Sequence, residues 1–351
     1  MEGAHPRPLG LPVDAQLVAD AVGDLAALAG DAEAAGFARL WAPELYRSAT
    51  VSLAVAAGAT DRIELATGVC LAFTRSPFTL ALEALDLDEL SGGRLVLGLG
   101  AGVRRLNQRW HAVDYDPPVR RMRETVAAVR ELVRTLPSAE RTRSPGRLVD
   151  VEVVGYRRPH PAPRSAIPIW LAAVMPGMAR LAGEVADGLI DHPVTSPEWV
   201  ESELAPAVRV GAERADREPP PVAGALIVAA DNADPAAARR AAALTVGFYA
   251  TVKTYEALFA GHGFGARLPA IRRAFLEGDP GRLAEAVGED MTDVFAAAGT
   301  SDEVRARAAA WEGRVARLWV TPPHHLQDPA AAARWQRGIL RVFGAGVAEG
   351  R

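Results

Sequence analysis

Short apolar runs alternating with longer helical segments constrain this chain more than any other feature. The runs cover residues 37–42, 62–69, 94–100, 167–173, 188–191, 223–230 and 316–321, all rich in Val, Ile, Leu or Ala. Most are continuously apolar, the pattern of parallel strands covered on both faces. Between them lie Ala/Leu/Glu/Arg segments with helical spacing and readable ends. Asp14 is placed to cap a helix over 15–35, with Gly36 just beyond its end. Pro77 opens a helix over 78–90, and Thr195, Ser196, Pro197 and Glu198 read as a cap, a first-turn proline and a first-turn acid. Such alternation fits either a doubly wound sheet or an eight-stranded barrel. Barrel closure needs one more strand before the first helix. Only residues 7–11 are available for it, and Pro8 and Pro12 make that a poor strand.

Two stretches break the rhythm. Residues 136–166 hold five prolines and read as a long excursion between the fourth and fifth strands. Residues 245–298 carry extra helices before the last strand, with breaks at Gly261, Gly263 and Gly265. The reading is therefore one domain over 1–351 with an insertion at about 245–298. Hydrophobic residues make up 49% of the chain, enough for a large core and against disorder. A net charge of −4 offers no basic field for a nucleic-acid partner. No run of apolar residues is long enough to span a membrane, and residues 1–11 do not read as a signal peptide. Cys70 is the one cysteine, so no internal disulfide is possible, which fits a reducing, cytoplasmic compartment.

The segment Gly98–Leu99–Gly100–Ala101–Gly102 invites comparison with a dinucleotide fingerprint. Val103 stands where the third glycine belongs, and no strand ending in an acid follows about 20 residues later. Two readings remain for these glycines: close backbone approach to a planar ligand, or tight packing at the strand end. On a barrel the strand ends carry the chemistry. Here they present Glu44, Thr67, Gly68, Val69, Gly100, Ala101, Gly102, Ala173, Val174, Asp191, His192 and Thr321. That rim is poor in nucleophiles and rich in small residues, as suits a large cofactor that does the chemistry itself. Seven histidines show no metal-ligand spacing, and no G-x-S-x-G elbow is present. Cys70 reads as an inert core thiol. Residues 173–178 lead from a strand into a helix, where free amides and Gly177 could seat an anion.

Taken in order, AEAAGFARLWAPEL (32–45), TDRIELATGV (60–69), RSPFTLALEALDLDELSGGRLVLGLGAG (75–102), PVRRMRE (118–124) and IPIWLAAVMPGMARLAGEVADGLIDHP (167–193) resemble the luciferase-like monooxygenase superfamily. More closely they resemble its branch that uses the deazaflavin coenzyme F420, with a weaker match over 302–322. The resemblance implies a (β/α)8 TIM barrel with a helical insertion before the eighth strand. It also implies a flavin-like cofactor across the barrel mouth. Glu44 then matches an acid near the cofactor ring. Thr67, Gly68 and Val69 end the third strand, where Gly68–Val69 matches a bulge, often with a non-proline cis peptide, that backs the ring. Ala101 and Gly102 match the loop beside the cofactor. Ala173, Val174, Gly177 and Met178 match the segment that holds its phosphate end.

Two positions depart from the pattern. Leu45 replaces a histidine that several F420-dependent dehydrogenases carry after the acid, and Val103 replaces an acid after the strand-four glycines. His192, directly after the sixth strand, is the substitute proton-handling group, with His324 and His325 in reserve. The expected activity is hydride transfer between F420 and a small, fairly apolar organic substrate. The alternatives are an FMN-dependent monooxygenase using reduced flavin and O2, and a binding protein without catalysis. The resemblance further implies a homodimer. The insertion's Phe248, Tyr249, Tyr255, Phe259 and Phe264 either pack its own helices or line the substrate pocket.

Overall fold

The computed structural model describes residues 9–19 and 21–344. Eight strands form its centre: β1 (Val13–Gln16), β2 (Arg39–Ala42), β3 (Glu64–Thr67), β4 (Leu95–Gly100), β5 (Ile169–Ala172), β6 (Gly188–Ile190), β7 (Val222–Ala230) and β8 (Arg317–Thr321). Each pairs in parallel with the next, and β8 pairs back onto β1 in the register Val13↔Leu318. The result is a closed (β/α)8 TIM barrel, which decides between the two architectures that the alternation allows.

The barrel interior is filled by Trp41, Trp170 and Trp319, packed with Ala66, Val96, Ile190, Ala223 and Ala225. Indole rings from three strands occupy the space that alanines on others leave free. Trp41 lies 6.0 Å from Trp170 and 5.8 Å from Trp319, centroid to centroid. A larger apolar layer joins the outer faces of the strands to the surrounding helices. The insertion has its own core, centred on Phe259, Phe295, Leu258 and Ile271.

The first strand lies at Val13–Gln16, not at 7–11; Leu9, Gly10 and Leu11 are not strand, and residues 7 and 8 fall outside the described residues. The displacement has a physical cause. Asp14 and Gln16 are buried polar residues in an interior strand, and polar residues there look like a helix cap in sequence. Asp14 accepts hydrogen bonds from Trp41 Nε1 at 2.9 Å and from Arg317 at 2.6 and 2.9 Å, so its carboxylate is paired within the barrel. The first helix therefore starts at Leu25 rather than 15, and Gly36 beyond its end has φ +83°.

The excursion over 136–166 carries a small antiparallel ribbon, Thr142–Ser144 against Val151–Val153. Arg158 and Arg164 fasten it to the helix Pro77–Leu90 through Asp86, Glu89 and Asp88. After β7 a helix at Pro235–Thr251 leads into helices at Glu256–Gly261, Leu268–Glu277 and Pro280–Phe295. A strand at Ala296–Gly299 then pairs with the far half of β7, outside the barrel. Its sequence, AAAG, has no β-branched residue, and it went unread. Among the described residues, no helix is long and apolar enough to cross a membrane.

Candidate functional site

A cavity of about 340 Å³ opens at the C-terminal end of the barrel, floored by Ala172, Ile190 and Trp319. Loops after β1, β2, β3, β4, β6 and β8 build its wall, and the insertion closes one side with Phe248, Tyr249 and Tyr255. Of the expected site residues, Glu44, Gly68, Val69, Gly102 and His192 line this cavity. Thr67, Ala101, Ala173, Val174, Gly177 and Met178 do not form its wall.

The end of β3 is shaped by a chain of close contacts. Thr67 is fully buried, and its hydroxyl donates to the Gly98 carbonyl at 2.6 Å. The Gly68–Val69 peptide bond is cis, as the family resemblance implies. A Cβ at Gly98 would lie 1.9 Å from the Thr67 carbonyl oxygen, and one at Gly100 would lie 2.5 Å from Val69 Cγ2. These two glycines are therefore packing residues that let the end of β3 nestle against β4. Gly102 packs as well, since a Cβ there would lie 2.7 Å from Leu71 Cδ2, but it also has φ +65° and lines the cavity. Asn107 holds this loop, its side-chain amide donating to the carbonyls of Ala101 at 2.9 Å and Val103 at 3.1 Å.

Glu44 is committed. Its carboxylate accepts from the Leu71 amide at 2.7 Å and from both terminal nitrogens of Arg75, at 2.8 and 2.5 Å. It thus clamps the segment that follows the cis bond, and it reaches the cavity as a paired anion rather than as a free base. Cys70 behind it is fully buried, and burial together with Glu44 pushes its thiol well above the usual range. It stays a protonated thiol.

His192 follows β6 by two residues and lines the cavity, half-buried. Its ring packs 4.9 Å from Tyr249 and 4.6 Å from Tyr255. Burial lowers its pKa to about 3, so the imidazole is neutral at working pH. Its Nδ1 accepts from the Val194 amide at 3.3 Å, which leaves the proton on Nε2. A neutral ring of this kind is a hydrogen-bond donor rather than a base that titrates near pH 7.

Farther along the rim, the helix Pro176–Val185 begins at Met175 without a side-chain cap, and a Cβ at Gly177 would meet nothing within 4 Å. A helix start whose amides have no side-chain cap, with room beside Gly177, is the kind of place that suits an anionic group. Among the described residues, no three His, Cys, Asp or Glu side chains gather closely enough to hold a metal ion.

Asp191, directly after β6, is 2% exposed. One carboxyl oxygen accepts from the Thr195 hydroxyl and the other has no partner. Burial raises its pKa to about 8, so it takes up a proton when the chain folds at neutral pH. A raised folded-state value makes the acid harmless to stability below about pH 4 and increasingly costly as pH rises toward 8. Asp191→Asn keeps an acceptor for Thr195 and removes the titration. The stability of this variant relative to wild type is expected to grow by about 1.4 kcal/mol per pH unit across that window. Urea midpoints at several pH values measure it, and a gap independent of pH would mean that Asp191 folds ionised.

Sequence reasoning did not assemble the aromatic side of the cavity. Tyr46 lies two residues beyond Glu44, Tyr249 and Tyr255 come from the insertion, and His325 follows β8. No periodicity links them. The insertion's aromatics divide between both readings: Phe248, Tyr249 and Tyr255 line the cavity, whereas Phe259 is fully buried in the insertion's own core.

Comparison with known proteins fits this geometry. Residues 7–318 match the luciferase-like monooxygenase family, and the chain belongs to it. A 5,10-methylenetetrahydromethanopterin reductase of Methanolobus tindarius is 30% identical over 284 residues, covering 79% of this chain and 82% of that protein. The structure of a coenzyme F420-dependent tetrahydromethanopterin reductase from Methanopyrus kandleri superposes with a TM-score of 0.79 at 24% identity, covering 96% of this chain and 100% of that one. The oxygenating constituent of 3,6-diketocamphane monooxygenase from Pseudomonas putida, a type II Baeyer-Villiger monooxygenase in complex with FMN, superposes with a TM-score of 0.63 at 18% identity over 96% of this chain and 98% of that one. The chain is thus placed among oxidoreductases and monooxygenases of the luciferase-like type.

Proposed function

We propose that this protein is an F420-dependent oxidoreductase that transfers a hydride between the deazaflavin and a small, fairly apolar organic substrate. One observation carries the reading: the cavity at the barrel mouth offers backbone, aromatic rings and neutral donors, while of its two acids Glu44 is paired with Arg75 and Asp191 is buried against Thr195. Such a site orients and shields reactants but has no free nucleophile of its own, so a bound cofactor must supply the reactive centre. A relative named a putative coenzyme F420-dependent oxidoreductase, 30% identical over 322 residues, favours F420 over FMN.

The residues present fit such a group. A flat ring suits the slot beside Val69 and the bare backbone of Gly102, and an anionic tail suits the uncapped helix start at 174–178 near Gly177. F420, when bound, would accept or deliver the hydride. Glu44 and Arg75 would hold the segment after Gly68–Val69 in place behind the ring, with Thr67 and Ala101 supporting it from beneath. Ala173, Val174 and Met178 would shape the phosphate seat. Phe248, Tyr249 and Tyr255 would exclude water, and His192 would donate its Nε2 proton in a hydrogen bond to the substrate's polar atom. The reading extends to a homodimer acting in the cytoplasm on a small-molecule substrate, with neither nucleic acid nor membrane as a partner.

The test is a fluorescence titration with F420 and, separately, with FMN. Saturable binding of F420 is expected, and Gly177→Asp should weaken it by roughly ten-fold or more, because it adds bulk and like charge at the phosphate. Tight binding of FMN with none of F420 would establish the monooxygenase alternative instead. Unchanged affinity in Gly177→Asp would remove 174–178 from the site. Saturable F420 binding with no turnover on a broad substrate panel would leave a binding protein.

A further inference from the structure

Hydride transfer to a neutral carbon–heteroatom double bond needs a proton as well, and the mouth of this barrel has few groups free to deliver one. Glu44 is held by Arg75 and Leu71, His192 uses Nδ1 for the Val194 amide, and His324 uses Nδ1 for the Pro322 carbonyl at 3.0 Å. Asp191 also lines the cavity and carries a proton, but it is 2% exposed and bonded to the Thr195 hydroxyl; one other arrangement connects the cavity with solvent. The His325 ring is 3% exposed, with Nε2 at 3.1 Å from the Tyr249 hydroxyl and Nδ1 at 3.5 Å from the Tyr46 hydroxyl. Tyr249 and Tyr46 both line the cavity, and Tyr46, at 70% exposed, does so on its solvent side. A buried ring with a nitrogen on each side therefore joins the hydroxyl of an exposed tyrosine to that of a less exposed one on the cavity wall. The ring is fixed in that bridge by stacking on Phe248, 3.9 Å away and 16° from parallel.

We propose that Tyr46, His325 and Tyr249 form a proton path from bulk water into the cavity, with Tyr249 the catalytic proton donor and His325 a positioning and relay residue. The proposal rests on the hydride-transfer reading above. In the reducing direction, F420 when bound would supply the hydride to the substrate carbon, and the π pair of a neutral C=X bond would move to X. X then takes the Tyr249 hydroxyl proton, Tyr249 takes the Nε2 proton of His325, and His325 Nδ1 takes the hydroxyl proton of Tyr46, which water restores. Oxidation runs the same steps backward. The environment suits a ring that passes a proton without storing it. Burial, with His324 and His192 nearby, lowers the His325 pKa to about 2, and burial holds the Tyr249 hydroxyl well above the usual range. Both groups are neutral at working pH, each with one proton to give and a lone pair to receive another.

The path can be tested without knowing the substrate. Full-length protein labelled with 15N-histidine reports the tautomer of His325 and the exchange of its ring proton with solvent deuterium. The expected result is a neutral ring whose nitrogen shifts change in both Tyr249→Phe and Tyr46→Phe. The expected exchange rate falls by roughly ten-fold or more in Tyr46→Phe, because the ring then loses its link to water. Shifts indifferent to either tyrosine, or exchange unchanged in Tyr46→Phe, would overturn the path. Circular dichroism of each variant separates these outcomes from misfolding; should Tyr249→Phe not fold, the exchange rate in Tyr46→Phe decides alone. F420 titration of the wild type is a separate arm. Failure to bind removes the hydride reading, whereas the exchange data judge the proton path by itself.

Discussion

Alanine at position 98 will cost the fold about 3 kcal/mol or more, beyond the usual range for overpacking one methyl group. The reason is that the new Cβ would sit 1.9 Å from the Thr67 carbonyl oxygen and 2.7 Å from Ile190 Cδ1. Neither neighbour is the free end of a flexible chain. Thr67 is tied back to Gly98 by its hydroxyl, and Ile190 is part of the packed barrel interior. β3 would have to move away from β4, carrying the Gly68–Val69 segment with it. Gly177→Ala is the matched control, since it meets nothing within 4 Å and lies in a helix, where alanine is favoured. It should be neutral or slightly stabilising. Urea midpoints of the two variants measure the contrast, and a loss under about 1 kcal/mol in Gly98→Ala would mean that the strand ends are looser than the contacts indicate.

His192→Ala will lower turnover by about 10²-fold, the scale of losing one positioned hydrogen-bond donor, while F420 affinity changes little. The neutral ring donates from Nε2, so the wild-type rate should show no loss from protonation of His192 between about pH 5 and 8. That follows from the sign of the shift: a histidine with its pKa lowered to about 3 stays neutral until the solution is far more acidic. Steady-state turnover on an identified substrate, with a cofactor titration of the same variant, separates the outcomes. Intact turnover would make His192 a packing partner of Tyr249 and Tyr255 and nothing more.

Much of the barrel could be read directly because parallel strands covered on both faces must be continuously apolar. Seven of the eight strands fall on such runs. β1 did not, because Asp14 and Gln16 are polar, and what makes them tolerable inside a barrel is Arg317, some 300 positions away. No local pattern reveals such a partner. The site shows the same division. The cis bond at Gly68–Val69 is what the family resemblance implies, and the cavity positions of Glu44, Gly68, Val69, Gly102 and His192 follow from their places at the strand ends. The commitment of Glu44 to Arg75 does not, since Arg75 reads as an ordinary residue before a helix cap. The meeting of Tyr46, Tyr249 and His325 was also hidden. It depends on the way the insertion folds back over the mouth, and aromatic spacing within the insertion is equally compatible with a self-packed core. In the G-x-G-x-G run all three glycines pack tightly, and Gly102 also lines the cavity.

A crystal structure of the protein soaked with F420 tests the central claim most directly. The account predicts the deazaflavin ring in the barrel mouth, with one face against Gly68 and Val69 and an edge beside Gly102, and the phosphate at the first amides of the helix Pro176–Val185. His192 and Tyr249 should face the open side of the ring, where the substrate would sit. A cofactor bound elsewhere, or a mouth that stays empty at concentrations that saturate other F420 enzymes, would contradict it.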